Sequence, residues 1–382
     1  MGSSFSRLTV AAVCAAVAPI ATYAQDSSAR WINVQFPRDS PVLMVSSSLG
    51  PTTGRLRGAS LALDLHASLE LRNTGAKPIS GLTLRVEAQE LTPSGKGSVT
   101  LPSLDVAPGE VFPVNIDMQL LRPVNVGRNE ESIVQVSLDC ALFSDLTSYG
   151  PDKLGSRRAL AVYEMEARRD RQYLAALLHT GQLAELREEL NFGLEDITPQ
   201  QIGLELLHEP RMGSRHEQPM AVGTVSFPSS PVRPVAGAAR VAGNEVRMPE
   251  VDLRNTSRKT VRTVELGWIV RDERGRDFVA GSTPASIPLR PIETGRMTEP
   301  GTLRFSHPTG QPMLIGAVMA FVNNVEFTDG NLWIPSRRDI QEATPDPVLR
   351  RALATSPEQQ KLAEVYRRRG IYGLAEELKK AN

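Results

Sequence analysis

Two antiparallel β-sandwiches in tandem, each followed by a helical hairpin, are the architecture that the sequence predicts. Three observations predict it. Apolar residues recur at every second position through 61–143. The spacing changes to a helical rhythm near residue 156 and again late in the chain. Several stretches of the first half also return, in the same order, in the second.

In the first half, "LALDLHASLELRNTG" (61–75) places Leu61, Leu63, Leu65, Ala67, Leu69 and Leu71 on one face, the period-two signature of a half-buried strand. "GLTLRVEAQ" (81–89) follows the "NTG" turn and puts Leu82, Leu84, Val86 and Ala88 inward. "VTLPSLDV", the turn "APGE" and the alternating "VFPVNIDMQLL" come next. "IVQVSLDCALF" (133–143) closes the set, with Val134, Val136, Leu138, Cys140 and Leu142 sharing a face. Short strands at this even spacing read as an antiparallel sandwich.

From 156 the text is rich in Ala, Leu, Glu and Arg. Leu160, Tyr163, Ala167, Leu174, Leu177 and Leu178 form a helical stripe, Ser156 suits an N-cap, and Gly181 divides the run into a hairpin. Opposite charges three and four apart, such as Glu164 and Arg168, read as a solvated helix face.

The second half repeats these features. "VSFPSSPV" (225–232) echoes "VQFPRDSPV" (34–42), and "VDLRNTS" echoes "LELRNTG". "TVELGWIV" (263–270) aligns with "GLTLRVEA", which sets Trp268 at the inward position of Val86. "LWIPSRRD" matches "YGPDKLGSRRA", and "LAEVYRRRGIYGLAEEL" matches "LAALLHTGQLAELREEL". The expected division is a signal peptide at 1–24, a sandwich at 25–155, a helical hairpin and linker at 156–210, a second sandwich at 211–335 and a C-terminal hairpin at 336–382.

Arg7, the apolar run "LTVAAVCAAVAPI" (8–20) and the small residues ending at Ala24 read as a secretory signal peptide, which places the mature chain outside the cytoplasm. Removing it takes Cys14 away and leaves Cys140 as a lone thiol, read as buried and inert. No other segment is apolar enough to span a membrane. The chain has 43 basic and 43 acidic residues, which excludes a general electrostatic affinity for nucleic acid.

Shared residues mark what both halves need. Asn73 and Asn255 are expected at turns with left-handed backbone. "NTS" at 255–257 is formally a glycosylation sequon, but its twin "NTG" favours the turn reading. At the joint between sheet and helix, Asp145 is expected to pair with Arg157 and Arg158, and Asp329 with Arg337 and Arg338. No catalytic motif stands out, and no cofactor is expected. The five histidines are scattered, and the pair His208 and His216 falls in a linker-like stretch.

The rhythm of strand, "RNTG", strand and later "APGE" resembles bacterial immunoglobulin-like modules of the fibronectin-III or CARDB kind. That resemblance implies a role in binding, adhesion or spacing, and carries no site residue. The expectation is a secreted, non-enzymatic binding or scaffolding protein of the cell envelope. It would meet a protein or glycan through sandwich loops or sheet edges. The alternatives are an accessory or chaperone-like subunit of an envelope complex, and an unrecognised hydrolase.

Overall fold

The structure of the protein, a computed structural model, describes residues 32–380 apart from 51–52, 58–59, 89–95, 124–133, 195–200, 208–216 and 308. The signal-peptide reading, Cys14, and the stretch with His208 and His216 lie outside the described residues. The chain divides into two compact units, Met1–Ser156 and Arg157–Asn382.

Among its described residues the first unit has nine strands in two sheets. One sheet runs β1 (Ile32–Gln35), β8 (Val134–Phe143), β5 (Ile79–Ala88), β6 (Lys96–Leu101), with β9 (Ser148–Tyr149) added on β8. The other is built on β4 (Ser60–Asn73), with β7 (Val111–Pro123) on one side and β2 (Val42–Leu49) and β3 (Thr53–Arg57) paired to successive stretches of β4. Alternation explains the core: Leu65, Leu69 and Leu71 meet Leu82, Leu84, Val86, Val114, Val134 and Val136 in one buried cluster. Cys140 on β8 is buried as expected, but not on the expected face: a register shift at Asp139 turns Ala141 toward the cluster of Val134, Val136 and Leu138, and sets Cys140 and Leu142 on the other side.

The second unit is built differently. It contains β10 (Gln201–Leu207), β11 (Gln218–Val225), β12 (Val232–Ala242), β13 (Glu245–Asn255), β14 (Val261–Asp272), β15 (Asp277–Ala285), β16 (Thr294–Thr298), β17 (Thr302–Ser306), β18 (Ile315–Phe327) and β19 (Leu332–Trp333). Pairing runs β11-β12-β13-β17-β10-β15-β14-β18, and β18 returns to β11, which closes a barrel of eight strands. Two strands make the closure by dividing their length. β10 lies parallel to β15 at Gln201 and Ile202, then antiparallel to β17 from Gly203 to Leu207. β11 pairs antiparallel with β12 at Gln218–Ala221, then parallel with β18 at Val222–Val225.

The tandem of antiparallel sandwiches is therefore overturned. One unit keeps two separate sheets; the other is a closed barrel of mixed pairing, and β1 also runs parallel to β8. The immunoglobulin-like resemblance falls with it, because a ring closed through parallel pairs is not that architecture. Strand β10 carries much of the difference. Residues 201–207 sit where a linker was expected, yet "QIGLELL" alternates apolar and polar and fills the gap between β15 and β17.

The expected helical hairpin after each β-region is also corrected. Among the described residues the helices are α1 (Ser156–His179), α2 (Leu183–Leu194), α3 (Arg337–Ala343), α4 (Pro347–Ala354) and α5 (Pro357–Lys380), the last broken at Gly370 with φ 65°. Leu174 and Leu177 of α1, Leu186 and Leu190 of α2, and Leu362, Ala363, Leu374 and Leu378 of α5 form one cluster. Each amphipathic pair leaves an apolar face that water penalises, and here the two faces cover each other. α3 and α4 take a different surface. Ile340, Leu349 and Ala354 pack with Phe227, Ile269 and Phe321 on the barrel's outer side.

That contact explains why "TVELGWIV" is nearly continuous apolar text: β14 is covered on both faces. Trp268 points into the barrel, fully buried, and donates its Nε1–H to Thr283 Oγ1 at 3.0 Å. On the other face Gly267 leaves room for the Phe321 ring; a Cβ there would stand 2.1 Å from Phe321 Cζ.

What the two units do share is local. Asn73 and Asn255 are both fully buried at a strand end. Asn73 Nδ2 donates to the carbonyls of Lys77 and Val106 at 2.9 and 3.0 Å, and its Oδ1 accepts from Gly75 N. Asn255 Nδ2 donates to Lys259 and Leu289 at 2.9 and 3.1 Å, and its Oδ1 accepts from Ser257 N. Neither has the left-handed backbone expected of it. Each is retained by its side-chain amide, which satisfies carbonyls that burial would otherwise orphan. With that amide consumed inside the fold, the sequon at Asn255 is a turn.

Gly267→Ala should cost roughly 1–3 kcal/mol in urea unfolding, because the methyl must displace a packed aromatic ring. Gly97→Ala, where nothing lies within 4 Å of the new methyl, should be close to neutral.

Candidate functional site

The two Ser-Arg-Arg stretches fold into different environments. Ser156, the first residue of α1, donates its hydroxyl to Asp139 at 2.6 Å. Ser336 caps α3: its Oγ accepts from Asp339 N, while the Asp339 carboxylate accepts from Ser336 N at 2.9 Å. This reciprocal capping box is held from outside by Ser229, whose N–H and hydroxyl both donate to Asp339.

The residues expected to pair across the joint take other partners. Asp145 accepts from Lys77 Nζ at 2.6 Å and from Thr147 N at 3.0 Å, and Lys77 together with Thr147 holds its carboxyl well below the usual range. Asp329 accepts from Lys259 Nζ at 2.8 Å and from Asn331 N at 3.0 Å, and Lys259 lowers it likewise. Both aspartates therefore brace a turn within their own sheet. Arg157 pairs with Glu326, and Arg158 reaches Glu265 at 2.8 Å and Asn324 at 3.1 Å, so α1 is tied to β14 and β18 through glutamates. Arg338 is 86% exposed and pairs with Glu342 one turn along.

Arg337 alone turns inward, and it forms the floor of a cleft. Its Nε donates to Asp170 Oδ1 at 2.8 Å and its Nη2 to Gln359 Oε1 at 2.9 Å, while Tyr173 lies beneath the guanidinium at 5.3 Å. Asp170 is fully buried. It also accepts from Arg169 at 2.9 and 3.3 Å and from the Ser356 hydroxyl. Arg169 spends further donors on the carbonyls of Pro335 and Ala354. α1, α3 and the start of α5 thus meet at one carboxylate. The charge pattern of 163–173, read as a solvated face, is largely interior: Glu164 and Asp170 are buried, and Arg171 bridges Glu164 to Glu358.

The cleft has a volume of about 430 Å³. One wall is α2, which contributes Glu185, Glu188, Glu189 and Phe192 from a single face. The other is α3 and α4, with Ile340, Pro347, Arg350 and Arg351. Acid thus lines one side and base the other. Arg351 joins the walls, lying 5.1 Å above the Phe192 ring and pairing with Glu188. Burial pushes the Glu189 carboxyl up, against the pull of Arg337. Burial and the nearby Glu189 also push the Tyr173 phenol upward, and it donates to Glu185 at 3.0 Å. Nothing in the linear text placed the cleft; the acidic spacing in "LAELREEL" was its one visible trace.

A separate feature lies on the first unit. Among the described residues β2 pairs only with β4, so its outer edge is open. Leu43, Met44 and Val45 are exposed by 55, 37 and 47%, and Val45 is the extra residue of a bulge between Met44 and Ser46. Among the described residues β12 has no strand on its outer side at Val232–Gly237 as well, but Pro234 there removes a backbone donor.

No protein-family model matches the chain, and no curated protein matches it. Among solved structures, the chain is weakly similar to a β-glucosidase from Kluyveromyces marxianus, at 9% identity and a TM-score of 0.16 over 72% of this chain. The match spans 45% of that protein's length. A likeness of this size carries no argument about fold or activity.

Asp170→Ala should destabilise the second unit by about 3–5 kcal/mol in chemical unfolding, because it leaves buried arginines uncompensated. Arg338→Ala, at an exposed pair, should change stability by less than about 0.5 kcal/mol.

Glu166 supplies a pH signature. The residue keeps some exposure, but its carboxyl is closely enclosed, and burial raises its pKa from 4.5 to about 7. The folded state therefore favours the protonated form. This contribution is complete below pH 4.5 and is lost as pH rises through about 7. Glu166→Gln should remove that slope and stabilise the protein at pH 8 by on the order of 2 kcal/mol, read from unfolding curves across the range.

Proposed function

We propose that the protein is a non-enzymatic binding or scaffolding protein of the cell envelope, and that it takes an extended strand of a protein partner onto the open edge of β2. The observation that carries this reading is the edge itself. A strand with an unpaired row of backbone donors and acceptors is a template for another strand, and natural proteins blunt such edges with proline or charge. β2 reads "VLMVSSSL", with neither proline nor charge, and the bulge at Val45 is the blunting feature that it does carry. Its three consecutive exposed apolar side chains sit beside the open backbone, and such a patch on a soluble surface marks a contact site. A row of backbone groups suits a peptide strand better than a glycan.

The envelope assignment rests on the leader-like text at 1–24. The equal count of acidic and basic residues favours a protein partner over nucleic acid. Among the described residues no helix is long and apolar enough to cross a membrane. A hydrolase has less support. The carboxylates of Glu185, Glu188 and Glu189 share one helix face, and arginines stand on the opposite wall of the cleft.

Leu43→Lys with Val45→Lys should place two charges on the edge and abolish capture of a partner from the native envelope fraction. Both sites are exposed, so unfolding stability should stay within about 0.5 kcal/mol. Equal recovery of the same partner by the wild type and the doubly substituted protein would remove the edge from consideration.

A further inference from the structure

The cleft of the second unit has a charge pattern of its own, independent of the β2 edge. Most of its ionic groups are already engaged. Arg337 is held by Asp170 and Gln359, with Glu189 at 3.6 Å, and Arg351 is held by Glu188. Two groups are left over, one on each wall. Arg350 on α4 is half-buried, and among the described residues no carboxylate lies within ion-pair distance of its guanidinium. Glu185 on α2 accepts a hydrogen bond from the neutral Tyr173 phenol and has no cationic partner among the described residues.

A half-buried guanidinium gains most from a planar carboxylate that can take two of its N–H donors. A carboxylate facing the same space favours an ammonium. Between these charges lie Phe192, Ile340 and Pro347, which suit an apolar body. A volume of about 430 Å³ is small-molecule scale. A ligand bearing one charge only would leave the opposite wall unanswered. A dianion would meet Glu185, Glu188 and Glu189 together.

We propose that this cleft binds a short zwitterionic peptide with an apolar side chain. Its free carboxylate pairs with Arg350, and its free amino group pairs with Glu185. The ion pair between Arg351 and Glu188 crosses the cleft between its walls. Being an exposed pair it contributes little to stability, so a ligand can part it.

The test is titration calorimetry of the full chain with the dipeptide Leu-Phe, its N-acetyl derivative, its C-terminal amide and the doubly capped form. Leu-Phe should bind at least about tenfold tighter than either singly capped form, since each cap removes one ionic contact. Arg350→Ala should erase the advantage of a free carboxylate while keeping that of a free amine, and Glu185→Gln should do the reverse. Arg350→Lys should restore part of the carboxylate preference. Neither Arg350 nor Glu185 is buried, so circular dichroism should show each variant folded. Absence of binding by Leu-Phe up to about 10 mM, a range in which even a millimolar ligand is detected, would overturn the proposal. So would equal binding by the four compounds, or preferences unchanged by Arg350→Ala and Glu185→Gln.

Discussion

A carboxylate cannot be carried into a protein interior unless donors surround it, and Asp170 is the place where this chain meets that demand. Its donors come from its neighbour Arg169, from Arg337 at the start of α3 and from Ser356 just before α5. Three segments far apart in sequence must therefore arrive together. Once they do, much else is set. Arg337 becomes the floor of a cleft, Tyr173 is pinned beneath it, and Gln359 is drawn in against Glu189. Hydrophobic faces bring the helices into contact; the aspartate specifies which contact is made.

The barrel and the helices depend on each other through β14. A strand covered on one side alternates; this one is apolar on both, because its second face lies under α3 and α4. Gly267 and Phe321 show the tolerance involved, since an aromatic ring occupies the space a side chain would need. The cleft stands on that base. α3 and α4 are fixed against the barrel, α2 is fixed in the helical cluster, and the space between them is what remains.

How much of this the sequence disclosed follows from the range of each interaction. Strands such as β4, β5 and β8 were legible because alternation is local, and so was the change to helix at Ser156. The burial of Trp268 followed from its place in the strand pattern. The architecture was not legible. Closure depends on β10 and β11 each serving two neighbours, and a strand's partners leave no mark in its own text. Asn73 and Asn255 were recognised as paired features but for a backbone property they lack; their side-chain amides act on carbonyls tens of residues away. The arginines after Ser156 and Ser336 looked alike in writing. Arg157 and Arg158 reach sheet glutamates, Arg337 enters the interior and Arg338 faces water. Which carboxylate an arginine finds is a tertiary fact, and for the same reason the cleft built from such pairings left no more in the text than the acidic spacing of α2.

The divided strand β10 also imposes an order of events on a chain made from its N-terminus. Leu204 must wait for Phe305, its partner on β17, and until that segment has left the ribosome the ring has a gap. The first unit, Met1–Ser156, has been synthesised in full well before then and can begin its sheets early. During that interval the alternating "QIGLELL" is an unpaired apolar strand, the segment that a holding chaperone would have most reason to shield.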